Sequence, residues 1–462
     1  MKLKTRAGSI LLLVVLLSSA LARPSSADGG IFGFDEETAL WELQRMRQQS
    51  CYINYENGFE NMLLSVLPTE FRSERGVWIF PIPAEPDKAV IDIINELPRL
   101  GSWHDEDVRT EARASVANLL SLMRLSQLYT FPVYLLSSLR AQLAQSRGLL
   151  TADFGVEVHQ HIERLGLTSE LITAENGSAF YSYLADKELD LPPDFRSLLD
   201  EYIGQEYSFV VSWISSVERY EEAVEQAWMY FDILGVSIRF PADRIYFPLR
   251  PTSVYGSTTI PVAVYVMGWV TPELYPEIQE DAVVKYLVET DYDVPAELSG
   301  FFNGRTSIGR LRYTKIDLDV PSESFAEDLW MKDSAPVDVV RAEYIITHSW
   351  IWAAPAFALT SCLASMLAGL IAFRKGSPSR AKLALFGLCN LWSLGFLAVA
   401  TIELETKTVH SEPEAKPLRE RELPWDAWDR EKSLFVFLFS AFFMVFTYVL
   451  EFVLQTGLDF VL

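Results

Sequence analysis

The sequence predicts an α+β protein. It reads as an extracytoplasmic, mainly antiparallel β domain with short helices and a helical insertion, followed by three transmembrane α-helices. Three observations predict this. Short apolar runs cut by proline and glycine fill most of residues 28–344. A stretch at about 105–147 carries its apolar residues at helical spacing instead. Three apolar runs of roughly 20 residues, the length needed to cross a bilayer, come after Thr347.

The first element, residues 1–27, reads as a signal peptide. Lys2, Lys4 and Arg6 precede an apolar run from Ile10 to Ala22, then small residues. Ala20-x-Ala22 and Ser25-x-Ala27 are both cleavage motifs, with Ala27 preferred, and an uncleaved N-terminal anchor is the alternative. Of the three cysteines, only Cys51 lies in the part expected to be exported. That part therefore has no internal disulfide and no cysteine-ligated zinc site. A net charge of -23 argues against nucleic acid or anionic lipid as the main partner.

From Cys51 to Pro86 the chain reads as strands. Asn57-Gly58 between two alternating runs is a hairpin signal. The run Arg75–Pro86 is strongly apolar and contains Pro81, Pro83 and Pro86. Proline donates no ladder bond, so this strand ends there or lies at an edge. In the insertion, Val116, Leu119, Leu120, Met123 and Leu128 share a face, and Asn118, Ser121 and Arg124 lie on another. Pro132 breaks or kinks it. A helix packed on the β domain is the expectation, and a membrane-surface helix is the alternative. Strands are expected at Gly155–Ile162, Ser169–Glu175 and Tyr207–Ile214. Two short helices flank Leu191-Pro192-Pro193, and another lies near Tyr220–Phe231.

The segment Phe240–Val266 mixes alternation with four prolines and with Asp243, Arg244 and Arg250. It reads as a corner, with Asp243, Arg244 and Arg250 able to pair and a turn at Ser253–Ser257. Thr258, Ile260, Val262, Val264 and Val266 share one face of the next strand. Four blocks now stand in order: "ADGG", "VWIFPIPAEP", "AFYSYLADKELDLPPDFRSLLDEYIGQEYSFVVSWI" and "IRFPADRIYFPLRPTSVYGSTTIPVAVYV". Together they resemble the family catalogued as domain of unknown function 2330, exported proteins of bacteria and archaea. The resemblance covers most of Ala27 to Val270, omits the insertion, and implies no catalytic residues.

The membrane part is expected as spans at 345–373, 383–402 and 433–455. The first connection, 374–382, holds Arg374, Lys375, Arg380 and Lys382 and is cytoplasmic by the positive-inside rule. The acid-rich connection 403–432 then lies outside, and 456–462 is a short cytoplasmic tail. Trp350, Trp352, Trp425 and Trp428 are placed at the outer interface. Ser361, Ser365 and Gly369 form a small-residue face suited to helix packing, and Asn390 faces another helix. Glu451 is expected to snorkel to the interface.

Standard catalytic and nucleotide motifs are absent from the sequence. His159-x-His161 shares a strand face but has no nearby third ligand. Asp291-x-Asp293 and Asp317-x-Asp319 are read as solvated charge rather than calcium ligands. Asn176-Gly177-Ser178 is a glycosylation sequon on an expected loop. The sequence thus predicts a cell-membrane surface protein with its large domain outside the cytoplasm. Its expected role is non-enzymatic binding, sensing or assembly, without a cofactor. The bilayer is one partner, and another membrane protein or a second copy is the other. A carboxylate-dependent hydrolase of envelope polymers and an accessory subunit of a membrane transport complex are the alternatives.

Overall fold

A computed structural model describes residues 30–35, 40–43, 46–68, 76–100, 106–125, 161–174, 176–189, 191–230, 235–373, 379–389 and 430–462. The signal peptide, Pro132, His159, Asn390 and the acid-rich connection as far as residue 429 lie outside them. The chain forms two compact units. One comprises residues 1–107 and 151–336, the other 108–150 and 337–462.

The strands of the first unit are, in order, β1 (Gly30–Asp35), β2 (Leu40–Leu43), β3 (Met46–Glu56), β4 (Phe59–Pro68), β5 (Gly76–Ile82) and β6 (Val90–Ile94). After the insertion come β7 (His161–Arg164), β8 (Leu167–Ile172), β9 (Ser208–Ile214), β10 (Gly235–Pro241), β11 (Ile245–Phe247) and β12 (Val262–Met267). The series closes with β13 (Thr271–Pro272), β14 (Val283–Asp293), β15 (Ser307–Leu318) and β16 (Leu329–Lys332). They make three sheets, ordered β2-β1-β5-β9-β8-β7, β14-β15-β12-β3-β4-β10-β6 and β11-β16-β13. Pairing is antiparallel throughout except between β12 and β3. This is the mixed, mainly antiparallel class that the sequence predicts.

The helices are α1 (Val108–Leu125), α2 (Gly177–Asp186), α3 (Pro193–Leu199), α4 (Val217–Tyr230), α5 (Pro276–Gln279), α6 (Val337–Ala372), α7 (Arg380–Cys389) and α8 (Arg430–Val461). Local chemistry explains the boundaries. Asn57 and Gly58 both take positive φ, the conformation of a two-residue hairpin turn, and β3 pairs with β4 across them. Asn176 caps α2, its Oδ1 accepting the Ala179 N–H at 2.9 Å. Pro193 opens α3, where its missing N–H costs nothing.

β5 ends at Ile82, at the prolines, yet it is not an edge strand: β1 and β9 flank it. Both faces are covered, so every residue of β5 is buried and the alternation disappears. Trp78, Phe80 and Ile82 join the largest core with β3, β4, β10 and β12. Val77 and Ile79 pack on the other side against Phe180 and Leu184 of α2 and Phe195 and Leu199 of α3.

The second unit is helical. α6 and α8 are antiparallel, since Phe373 meets Phe435 and Phe357 meets Phe443. This corrects the relative direction expected of the first and third spans, which three successive crossings would make parallel. Among the described residues two stretches, not three, are long and apolar enough to cross a membrane: Ala353–Ala372 and Phe437–Asp459. The expected second span, 383–402, is described only as far as Cys389, within α7. The insertion helix α1 belongs to this unit. Leu120 and Met123 share a core with Phe357, Phe439 and Phe443. The expectation that it packs on the β domain is therefore corrected. Its Val116, Leu120 and Met123 face matches the apolar stripes of the long helices.

Candidate functional site

A polar cluster of the strand-rich unit forms around Asp328, just before β16. Its carboxylate gathers three elements. Tyr202, beyond α3, donates its hydroxyl to both oxygens at 3.1 Å. Tyr246 of β11 donates its hydroxyl to Oδ2 at 3.0 Å. Arg250, which opens a 3-10 turn, donates its backbone N–H to Oδ1 at 3.0 Å. The residue keeps some contact with solvent, but the carboxyl group is enclosed, and burial pushes its pKa up to about 6. The N–H of Arg250 and the two hydroxyls pull the other way and lose. Burial and the charge of Asp328 in turn raise Tyr202, Tyr207 and Tyr246, with Tyr207 reaching about 12.

The Arg250 guanidinium closes the far side. It pairs with Glu201 at 2.6 Å and donates to the Ala326 carbonyl. The Tyr246 ring lies 4.9 Å from Trp330 and 6.2 Å from Tyr207. Arg244 stands 4.6 Å over the Trp330 ring and pairs with Glu273 at 3.1 Å, and Lys332 reaches the same Glu273 at 2.9 Å.

A second carboxylate approaches Tyr246 from the other side. Glu60 of β4 is 0% exposed, and its Oε2 accepts the Tyr246 N–H at 2.8 Å. β11 is an edge strand of its sheet, and Glu60 satisfies the N–H that no neighbouring strand takes. Glu60 Oε1 is buried without a hydrogen-bond partner. Burial holds the Glu60 pKa well above the usual carboxylate range, against the Tyr246 N–H that lowers it.

The corner at Phe240–Val266 is thus a junction between sheets. The ion partners of Arg244 and Arg250 are Glu273 and Glu201 rather than Asp243. The expected turn residues form the 3-10 turn Arg250–Tyr255, closed by Gly256. Val262, Val264 and Val266 face the core together, and Ile260 joins it just before β12. Sequence reading missed Asp328, Tyr202 and Glu60. They stand far apart along the chain at no recurring interval, so the only available signal was a carboxylate inside a strand of apolar neighbours, as in Glu60.

The remaining sequence candidates fall elsewhere. His161 lies on the edge strand β7. Asp291 and Asp293 lie on the edge strand β14, while Asp317 of β15 pairs with Lys315 at 3.1 Å. Among the described residues no group of His, Cys, Asp and Glu could hold a metal ion. Asn176 is exposed at the α2 cap. Cys51 is a buried free thiol. In the helical unit Ser361 and Ser365 are buried, and the Ser365 hydroxyl donates to the Leu383 carbonyl of α7 at 2.6 Å. A Cβ on Gly369 would stand 2.6 Å from the Leu383 side chain. Glu451 does not stand alone, for Arg124 of α1 meets it at 2.5 Å.

No protein-family model, curated protein or solved structure matches the chain. The chemistry of its own residues therefore carries the functional reading.

Proposed function

We propose that the chain is a membrane-anchored surface protein whose strand-rich unit serves in binding, sensing or assembly rather than catalysis. One observation carries this reading. The stretches Ala353–Ala372 and Phe437–Asp459 show large apolar side chains outward, among them Leu359, Leu363, Phe437, Phe452 and Val453. Helices covered by other protein hide such residues, whereas lipid tolerates them. The basic start and apolar run of residues 1–22 support export of the downstream chain. The cluster at Asp328 supports a scaffold role, because every hydrogen bond it accepts ties one element of the fold to another.

Gentle extraction in mild detergent followed by identification of co-purifying chains tests this proposal. The expected result is a specific membrane or surface partner, or a defined homo-oligomer. A chain that runs alone and cleaves an envelope sugar polymer would overturn it. That outcome belongs to the second reading, a carboxylate-dependent hydrolase, which the raised pKa values of Asp328 and Glu60 favour. Under the second reading Asp328→Asn abolishes cleavage.

A further inference from the structure

The insertion helix α1 changes character along its length. Its first turns carry Arg109, Glu111 and Arg113. Arg109 pairs with Asp338 at 3.2 Å and Arg113 with Asp459 at 3.4 Å, both half exposed. Its last turns carry Leu119, Leu120, Leu122, Met123 and Leu125. Leu120 and Met123 turn inward, onto the core built from Phe357, Phe439 and Phe443. Leu122 and Leu125 turn outward and are 61% and 44% exposed. On a helix in water two such residues would need no comment. Here they share a bundle with the two helices whose exposed faces are apolar at Leu359, Leu363, Phe452 and Val453.

One charge stands among these last turns. Arg124 has 12% of its side chain exposed. Its guanidinium lies 2.5 Å from Glu451 and 4.3 Å over the Tyr448 ring, and its Nε donates to the Leu120 carbonyl at 3.3 Å. Glu451 lies inside the apolar stretch Phe437–Asp459, about 12 Å along the helix axis from Phe443. Either charge alone in hydrocarbon would be costly, and together they cancel.

We infer that α1 is itself a membrane-immersed element, its carboxyl-terminal half lying among lipid chains with Arg124 neutralised by Glu451. The inference rests on the membrane reading proposed above. It adds an element absent from the three apolar runs of the sequence, and it assigns the ligand of the Leu122–Leu125 face as lipid acyl chains. It also gives Glu451 a pairing role in place of snorkelling.

Depth-dependent quenching tests it on the full chain in phosphatidylcholine vesicles. Cys51, Cys362 and Cys389 are replaced by alanine, and a bimane probe is attached to a cysteine at position 122, 363 or 111 in turn. Lipids carrying a nitroxide on the acyl chain are the quencher. The expected result is loss of fluorescence at 122 to the same extent as at 363, and little loss at 111. Quenching at 363 with 122 behaving like 111 overturns the immersion of α1 and leaves the membrane reading standing. No quenching at 363 overturns both. For the ion pair, Arg124→Glu is expected to lose the folded, monodisperse chain and the double variant Arg124→Glu/Glu451→Arg to regain it. Failure of the double variant where the parent chain folds overturns the neutralising role of Glu451.

Discussion

Tyr246 is held by two carboxyl groups at once, its N–H by Glu60 and its hydroxyl by Asp328. The consequence is a pH dependence of defined sign. Asp328 binds its proton with a pKa of about 6 in the folded chain against an ordinary 3.8. Between those values the folded state keeps a proton that the unfolded state has lost. Stability therefore falls as pH rises through this window, and the cost is fully present above it. Glu60, also raised, acts in the same direction. The unfolding free energy of the full chain in detergent should rise on going from pH 7 to pH 5, by on the order of 1 kcal/mol. Asp328→Asn should flatten that slope, and a slope unchanged by the substitution would refute the assignment. Tyr246→Phe removes one hydroxyl from the carboxylate. It should cost about 1.5–3 kcal/mol at pH 7, where the acceptor is charged, and less at pH 5. Comparing the two midpoints measures it.

At the scale of elements, the α6–α7 contact depends on missing side chains. A Cβ on Gly387 would stand 2.7 Å from the Ser361 carbonyl oxygen, which is backbone and cannot yield without moving a helix. A Cβ on Gly369 would meet only the Leu383 side chain, which can rotate. Gly387→Ala should therefore lower stability by about 1–3 kcal/mol, and Gly369→Ala by less, in thermal melts of the detergent-solubilised chain. The face Ser361, Ser365 and Gly369 was legible because helical spacing needs no knowledge of the partner. The Asn57-Gly58 hairpin was legible for a similar reason, since its signal lies within a few residues. The place of β5 was not: proline suggested an edge, but coverage on both faces is a property of the sheet order. The Arg124–Glu451 pair was not legible for the same cause. A lone arginine on a helix looks solvated until its partner, 327 residues along the chain, is known. The Asp328 cluster likewise assembles residues that only the folded sheets bring together.

At the scale of the whole molecule, the antiparallel pair α6 and α8 fixes which ends share a side. Val337 and Val461 stand at one end of the bundle, where Arg341 reaches the Val461 carbonyl at 3.5 Å. Phe373 and Phe435 meet at the other end, and in the sequence the basic residues Arg374, Lys375 and Arg380 follow Phe373. With the connection 374–382 cytoplasmic, as the sequence predicts, the antiparallel pair puts the start of α8 on the cytoplasmic side and Val461 outside, against the expected outward connection 403–432 and cytoplasmic tail 456–462. Epitope tags after Val461 and within 374–379 should then be reached by antibody from opposite faces of the membrane, the first on intact cells and the second only after permeabilisation. Both tags appearing on one face would contradict the pairing.

The two units also cannot be separated by a single cut. A fragment that stops at Pro336 still carries Val108–Leu125, now with Val116, Leu120 and Met123 stripped of the aromatic wall they rest on. Such a truncation is expected to clump or to cling to detergent. A soluble body calls for two edits, the second removing the inserted segment 108–150 that belongs to the helical unit.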